Sequence, residues 1–170
     1  LGVAARHAAI DFEMAEDPKY RALSVHQESG DIYSAYYRVP RDSKDLMARS
    51  KLIETATALG ATLVILVKEI GTDALFALQR VLARKKESVG LERVNAFYQT
   101  CRDRDLALAV APTAGKGGRA KRPPEQADPA RYVRVVSKNS KGITVCGAKA
   151  HTSCTPYVDE VIVLPSRSMG

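Results

Sequence analysis

Apolar residues recur at the spacing of an amphipathic helix between Ser43 and about residue 106. From Ser43, which can cap a helix, this spacing continues to Gly60, where we expect the helix to break or bend. A second helix is predicted over residues 62–70, and Gly71 then interrupts the pattern. The sequence therefore predicts two helices before the interruption.

Two further helices are predicted after it. Thr72 can cap the third helix, whose leucines fall on one face. The fourth helix covers residues 91–106, and its apolar stripe includes Cys101, which is therefore predicted to be a core residue rather than a nucleophile. The first forty residues are mixed: DPKY at 17–20 indicates a turn, and DIYSAYYRVP at 31–40 indicates a partly buried extended segment.

The hydrophobic period changes in the last third of the chain. Two β-branched runs, at 132–136 and 143–149, are separated by SKNSKG, which predicts a hairpin, and 159–165 predicts a third strand. Helices followed by strands indicate an α+β fold. We expect a helical N-terminal domain over residues 1–110, and a second segment over 111–170 that begins a β domain.

Composition narrows the class of protein. Apolar residues make up 45% of the chain, enough for a buried core, while no apolar run approaches the ~20 residues of a membrane span. The formal net charge of +7 attracts anions without identifying them. Three cysteines without a CxxC pair, and no signal peptide, predict a cytoplasmic protein that binds neither a membrane nor a metal.

The segment GKGGRAKRPPEQADP at 115–129 is the most unusual stretch of the chain. Its glycine N–H groups can converge on an anion, and arginine can bind a phosphate through two parallel hydrogen bonds. It matches neither the P-loop nor the dinucleotide fingerprint. No aromatic residue is interleaved with its cations, which disfavours nucleic acid. From its composition the segment is an anion-binding loop, a solvated linker or a nucleic-acid patch.

An ordered set of motifs adds a resemblance that covers nearly the whole chain. The motifs are DPKYRAL, SKDLMARSKLIETATALGATLV, EIGTDALFAL, CRDRDLALAVAPTAGKGGRAKRPPEQADPARYVRVV, GITVCGAKAHTS and DEVIVLPSRSM. Together they resemble the family of 4-hydroxyphenylacetate 3-hydroxylase and 4-hydroxybutyryl-CoA dehydratase. The resemblance implies an acyl-CoA dehydrogenase-like flavoenzyme with a helical domain, a middle β domain and a C-terminal helical domain. This chain would be its N-terminal and early middle portion, and the full-length protein a homo-oligomer, namely a homotetramer.

The resemblance also implies a flavin site, with FAD or its reduced form held between the β domain and the helices. The KGGRA segment matches the family's flavin loop, and the segment AKAHTS would approach the flavin from the sheet. The implied cofactor-binding residues are Lys116, Gly117, Gly118, Arg119, Arg122, Pro123, Pro124, Glu125, Gln126, Thr152 and Ser153.

Two departures from the family pattern bear on the reaction. Ile65 and Glu69 stand where the dehydratase carries two cysteines of its [4Fe–4S] cluster, so no iron–sulfur cluster is expected. Val110 stands where the hydroxylases carry a substrate-binding histidine. The catalytic candidates are His151, which could orient substrate or act as acid or base, and Glu69; each could equally have a structural or solvated role.

The resemblance favours a two-component monooxygenase that takes reduced FAD from a separate flavin reductase and hydroxylates an aromatic or related small molecule. One alternative is a dehydratase or isomerase that acts on a CoA thioester. Another is a basic binding protein or remnant without catalytic activity. We expect these 170 residues alone to lack turnover, because their strands have too few partners to complete a β domain.

Overall fold

The computed structural model describes residues 2–61, 68–115, 121, 125–152 and 154–164. Helices precede most of the strands in these ranges, and the predicted α+β class is confirmed. The helices are α1 (Gly2–Glu16), α2 (Pro18–Ser24), α3 (Ser43–Gly60), α4 (Glu69–Arg84) and α5 (Ser88–Asp103). The strands are β1 (Val25–Glu28), β2 (Asp31–Ser34), β3 (Leu108–Ala111), β4 (Arg134–Asn139), β5 (Gly142–Cys146) and β6 (Glu160–Val163).

The described strands form three two-stranded ribbons, β1–β2, β3–β6 and β4–β5. The predicted hairpin is confirmed as the antiparallel pair β4–β5, with Asn139 opposite Gly142 next to the turn. The predicted third strand is β6, and its partner is β3 rather than the hairpin. β3 was not predicted because LAVA is a short apolar run without alternation, which periodicity cannot assign.

The N-terminal segment contains more helix than the sequence predicts. Residues 2–16 form α1, in which more than half of the residues are apolar, many of them alanine, and Ile10 and Met14 are buried almost completely. The interpretation of DPKY as a turn is wrong. Asp17 caps α2 by accepting a hydrogen bond from the Lys19 amide at 2.8 Å, and Pro18 occupies the first helical position, where its missing N–H is harmless.

Two helix starts also differ from the prediction. Asp42, rather than Ser43, caps α3, because its carboxylate accepts from the Asp45 amide at 2.9 Å. The third predicted helix begins at Glu69 instead of at Thr72, whose hydroxyl donates to the Lys68 carbonyl at 2.8 Å within the helix. The helix predicted over 62–70 falls mostly on residues 62–67, which lie outside the described residues.

The described chain divides into two compact units. The first is helical and comprises Leu1–Ala109 with Cys154–Glu160; the second comprises Val110–Ser153 with Val161–Gly170. Cys101 is completely buried in the first unit, as predicted. No helix in the described ranges has the length and apolarity needed to cross a membrane.

A buried arginine joins α3 to α4 in the helical unit. The Arg49 guanidinium donates to the Tyr36 carbonyl at 2.9 Å and to the Thr72 hydroxyl at 2.8 Å, and it pairs with Asp73 at 2.7 Å. Hydrogen bonds on several of its N–H groups offset the desolvation of this charge, which would otherwise be expensive. The first turn of α4 is thereby fixed against α3.

Candidate functional site

The segment that leads into the glycine-rich loop is paired with the segment that precedes His151. Ala114 forms an antiparallel bridge with Lys149, and the Ala150 amide donates to the Thr113 carbonyl at 3.0 Å. The Lys149 ammonium also donates to the Pro112 carbonyl at 3.1 Å. These bonds, all within the second unit, place the start of the loop beside the AKAHTS segment.

A glycine allows this pairing to form directly after β5. Gly147 has a φ of +132°, which L-residues rarely adopt, and an added Cβ would lie 2.5 Å from the Tyr132 carbonyl carbon and oxygen. The next residue donates its amide to the Arg131 carbonyl at 2.9 Å. The chain therefore turns in close contact with residues 131–133 before it reaches residue 148.

Several predicted flavin-binding residues lie outside the described residues: Lys116, Gly117, Gly118, Arg119, Arg122, Pro123, Pro124 and Ser153. Beyond the loop, Glu125 is exposed, and the Gln126 side chain donates to the Lys121 carbonyl at 2.8 Å. The contact of all these residues with a flavin stays a prediction.

The two catalytic candidates lie in different units. His151 is exposed and has a φ of +56°, an uncommon backbone conformation for a residue with a side chain. Thr152, a predicted flavin contact, follows it and is half-buried. Glu69 is the first residue of α4 and is half-buried, and its carbonyl accepts from Arg49 at 3.2 Å. Their catalytic roles stay predictions.

Sequence reasoning missed a buried polar cluster in the helical unit. The Lys68 ammonium pairs with Asp105 at 2.7 Å and lies 3.8 Å from Oδ2 of Asp11. Burial raises the pKa of Asp11 to about 6, although the positive charge of Lys68 opposes the shift. The signal in the sequence is limited to two carboxylates, Asp11 and Glu13, that each stand between apolar residues in AAIDFEMA. Because α1 was not predicted, the sequence could not show which of the two is buried.

The donor set near the loop suits an anionic group. Lys149 lies on the segment that pairs with the start of the loop, and the Arg131 side chain lies next to Gly115, where an added Cβ would come within 2.9 Å of it. Burial lowers the pKa of Lys149. A phosphate fits such a combination of cations and loop glycines better than a metal ion does. Across the ranges that the structure describes, no group of three or more His, Cys, Asp or Glu side chains is placed to hold a metal.

Comparison with known proteins gives consistent similarities over the whole chain. The family model described as "4-hydroxyphenylacetate 3-hydroxylase N terminal" matches residues 1–170. A 4-hydroxyphenylacetate 3-monooxygenase oxygenase component from Thermus thermophilus is 32% identical over 97% of this chain and 34% of its own length. A 4-hydroxybutyryl-CoA dehydratase/vinylacetyl-CoA-Δ-isomerase from Clostridium aminobutyricum is 27% identical over 95% of this chain and 34% of its own.

A solved structure shares the fold. It is the oxygenase component of 4-hydroxyphenylacetate 3-monooxygenase complexed with FAD and 4-hydroxyphenylacetate, with a TM-score of 0.74 and 28% identity over 94% of this chain and 33% of that chain. The chain thus spans about a third of the length of the curated relatives that it matches.

Proposed function

Because this chain belongs to the 4-hydroxyphenylacetate 3-hydroxylase N-terminal family, we propose that it forms one wall of the flavin site of a two-component monooxygenase. That enzyme takes reduced FAD from a separate flavin reductase and hydroxylates an aromatic or related small molecule. The observation that carries the proposal is the pairing of the loop's first residues with the segment before His151, through the Ala114–Lys149 bridge. It brings the two predicted flavin-binding segments together from distant parts of the sequence.

When bound, the reduced flavin would supply the activation of oxygen, and the chain supplies binding, orientation and exclusion of water. The N–H groups of the loop glycines and the Arg119 guanidinium bind the flavin phosphate. Thr152 and Ser153 contact the flavin from the other segment. His151, which follows the paired segment directly, orients the substrate or moves a proton at one of its ring nitrogens. Glu69 is the second candidate for proton transfer.

Replacing Arg119 by alanine in the full-length protein should weaken FAD binding by about 1.5–3 kcal/mol, the range for a hydrogen bond to a charged group. The measurement is a titration with FAD followed by flavin fluorescence. Lys138→Ala is the matched control, because Lys138 is an exposed cation on β4, so its removal lowers the net charge equally. Equal dissociation constants for the two variants would exclude Arg119 from the site.

The similarity to the Clostridium dehydratase/isomerase supports a second candidate, a reaction on a CoA thioester. Ile65 and Glu69 argue against it, because neither side chain can ligate a cluster iron as a cysteine thiolate does. Anaerobic reconstitution of the full-length protein with iron and sulfide should therefore give no cluster absorbance. Four irons per chain would contradict this prediction and favour the dehydratase. A full-length protein that binds neither FAD nor its reduced form in a titration would instead be a binding protein without catalytic activity.

A further inference from the structure

A cavity of about 240 Å³ lies within the helical unit, next to the buried polar cluster. Its polar lining includes Asp11, Tyr36, Lys68 and Asp105. Its apolar wall comes from α1 and the β1–β2 hairpin and consists of Phe12, Ala15, Val25 and Ile32. Polar and apolar side chains therefore both line the cavity, and two of the apolar ones, Phe12 and Ile32, are more than half exposed, so the cavity opens to solvent.

Two buried polar atoms on this lining lack a hydrogen-bond partner in the part of the chain that the structure describes: the Tyr36 hydroxyl and Oδ2 of Asp11. Tyr36 is 1% exposed and Asp11 9%. The neighbouring Tyr37 hydroxyl, by contrast, donates to the Leu106 carbonyl. Buried polar groups are nearly always paired, so two exceptions on one cavity indicate a partner that comes from outside the described residues.

The cluster itself does not satisfy these atoms. Lys68 makes its short ion pair with Asp105, and its 3.8 Å distance to Asp11 is too long for a hydrogen bond. Burial, and next the nearby Asp11 carboxylate, raise the pKa of Tyr36, so the phenol keeps its proton. The cavity therefore offers one hydroxyl donor and one carboxylate acceptor, close enough to influence each other.

A single ligand hydroxyl can serve both atoms. It accepts a hydrogen bond from the Tyr36 hydroxyl and donates one to Oδ2 of Asp11. The charged residues on the lining balance, with three carboxylates and three cations, so the cavity does not select a charged ligand. Its volume exceeds that of a cavity of about 150 Å³ that holds benzene, so there is room for a six-membered ring with a substituent.

We propose that this cavity binds a small neutral alcohol, with its hydroxyl between Tyr36 and Asp11 and its apolar body against Phe12, Ala15, Val25 and Ile32. The class of ligand follows from the two polar atoms without a partner, the balanced charges and the apolar side chains of the lining together. A cluster of water molecules would satisfy the same two atoms but would leave the apolar side chains hydrated, whereas the apolar body of an alcohol removes part of their surface from water, which makes water the less favourable occupant.

The test uses cyclohexanol and cyclohexanone, which share a ring size but differ in whether the oxygen can donate a hydrogen bond. Cyclohexanol titrated into the full-length protein should shift the amide resonances of Asp11, Phe12 and Ala15 saturably, and should bind about tenfold more tightly than cyclohexanone, the factor for one hydrogen bond. Neither probe is aromatic, so the result does not depend on the proposed monooxygenase activity.

Tyr36→Phe and Asp11→Asn should each weaken cyclohexanol binding about tenfold. Tyr20→Phe is the matched control, because it removes a tyrosine hydroxyl from the same unit but outside the cavity lining, and binding should be unchanged. Two results would overturn the proposal. One is the absence of saturable shifts, which means that only water fills the cavity. The other is an equal affinity of the protein for both probes, or an equal affinity of all variants for cyclohexanol, because either result places the alcohol outside this cavity.

Discussion

Replacing Gly71 by alanine should lower the free energy of unfolding by about 3 kcal/mol, the upper part of the usual range for overpacking. Gly71 lies inside α4 and is buried against β3. An added Cβ would lie 2.6 Å from the Leu108 carbonyl oxygen, and it would also overlap the Cβ of Leu108. Neither atom can move by a side-chain rotation, so α4 would have to separate from β3.

The measurement is urea unfolding of the full-length protein followed by circular dichroism. Gly90→Ala is the matched control, because Gly90 also lies in a helix, α5, but its added Cβ would meet only the side-chain ends of Leu82 and Glu87, at 3.1 and 3.2 Å. Those ends can give way, so the helix preference of alanine should raise stability by about 0.5–1 kcal/mol. Stabilisation by both substitutions would contradict the close contact at Gly71.

Gly71 also shows what periodicity can and cannot predict. From the sequence, a glycine followed by a threonine favours a helix end and a new cap, and the structure instead continues α4 through both residues. The glycine is there because Leu108 approaches it, and Leu108 belongs to the strand that the sequence did not predict. A contact between residues so far apart in sequence leaves no local signal.

The candidate site also has parts that the sequence predicted and parts that it could not predict. Turn and hairpin signals predicted β4 and β5, which lead to Gly147, and motif resemblance identified the loop and the AKAHTS segment. Neither argument could pair the two segments, since the Ala114–Lys149 bridge joins residues on either side of the hairpin. The buried cluster at Asp11 could not be predicted either, because Lys68 precedes α4 and Asp105 follows α5, far from Asp11 in the sequence, and the three residues meet only through tertiary packing.

Replacing Gly147 by alanine should have the second large effect, and it should reach the proposed flavin site. The backbone conformation at φ +132° is strained for alanine, and the added Cβ would lie 2.5 Å from Tyr132 backbone atoms. Strain and overpacking together should cost about 3 kcal/mol. The strained residue directly precedes the segment that pairs with the start of the loop, so FAD binding should weaken about 100-fold if this pairing is lost.

The variant Gly142→Ala separates the effect of backbone strain from the effect of overpacking. Gly142 also has a positive φ, +148°, but nothing lies within 4 Å of its added Cβ. This variant carries the backbone strain alone, so it should lose only about 1–2 kcal/mol of stability and bind FAD like the unchanged protein. Both variants should keep the helical circular dichroism, because α1–α5 belong to the other unit. If Gly147→Ala kept full FAD affinity while losing stability, the pairing of residues 112–114 with 149–150 would not build the flavin site, and the proposed function would lose the observation that carries it.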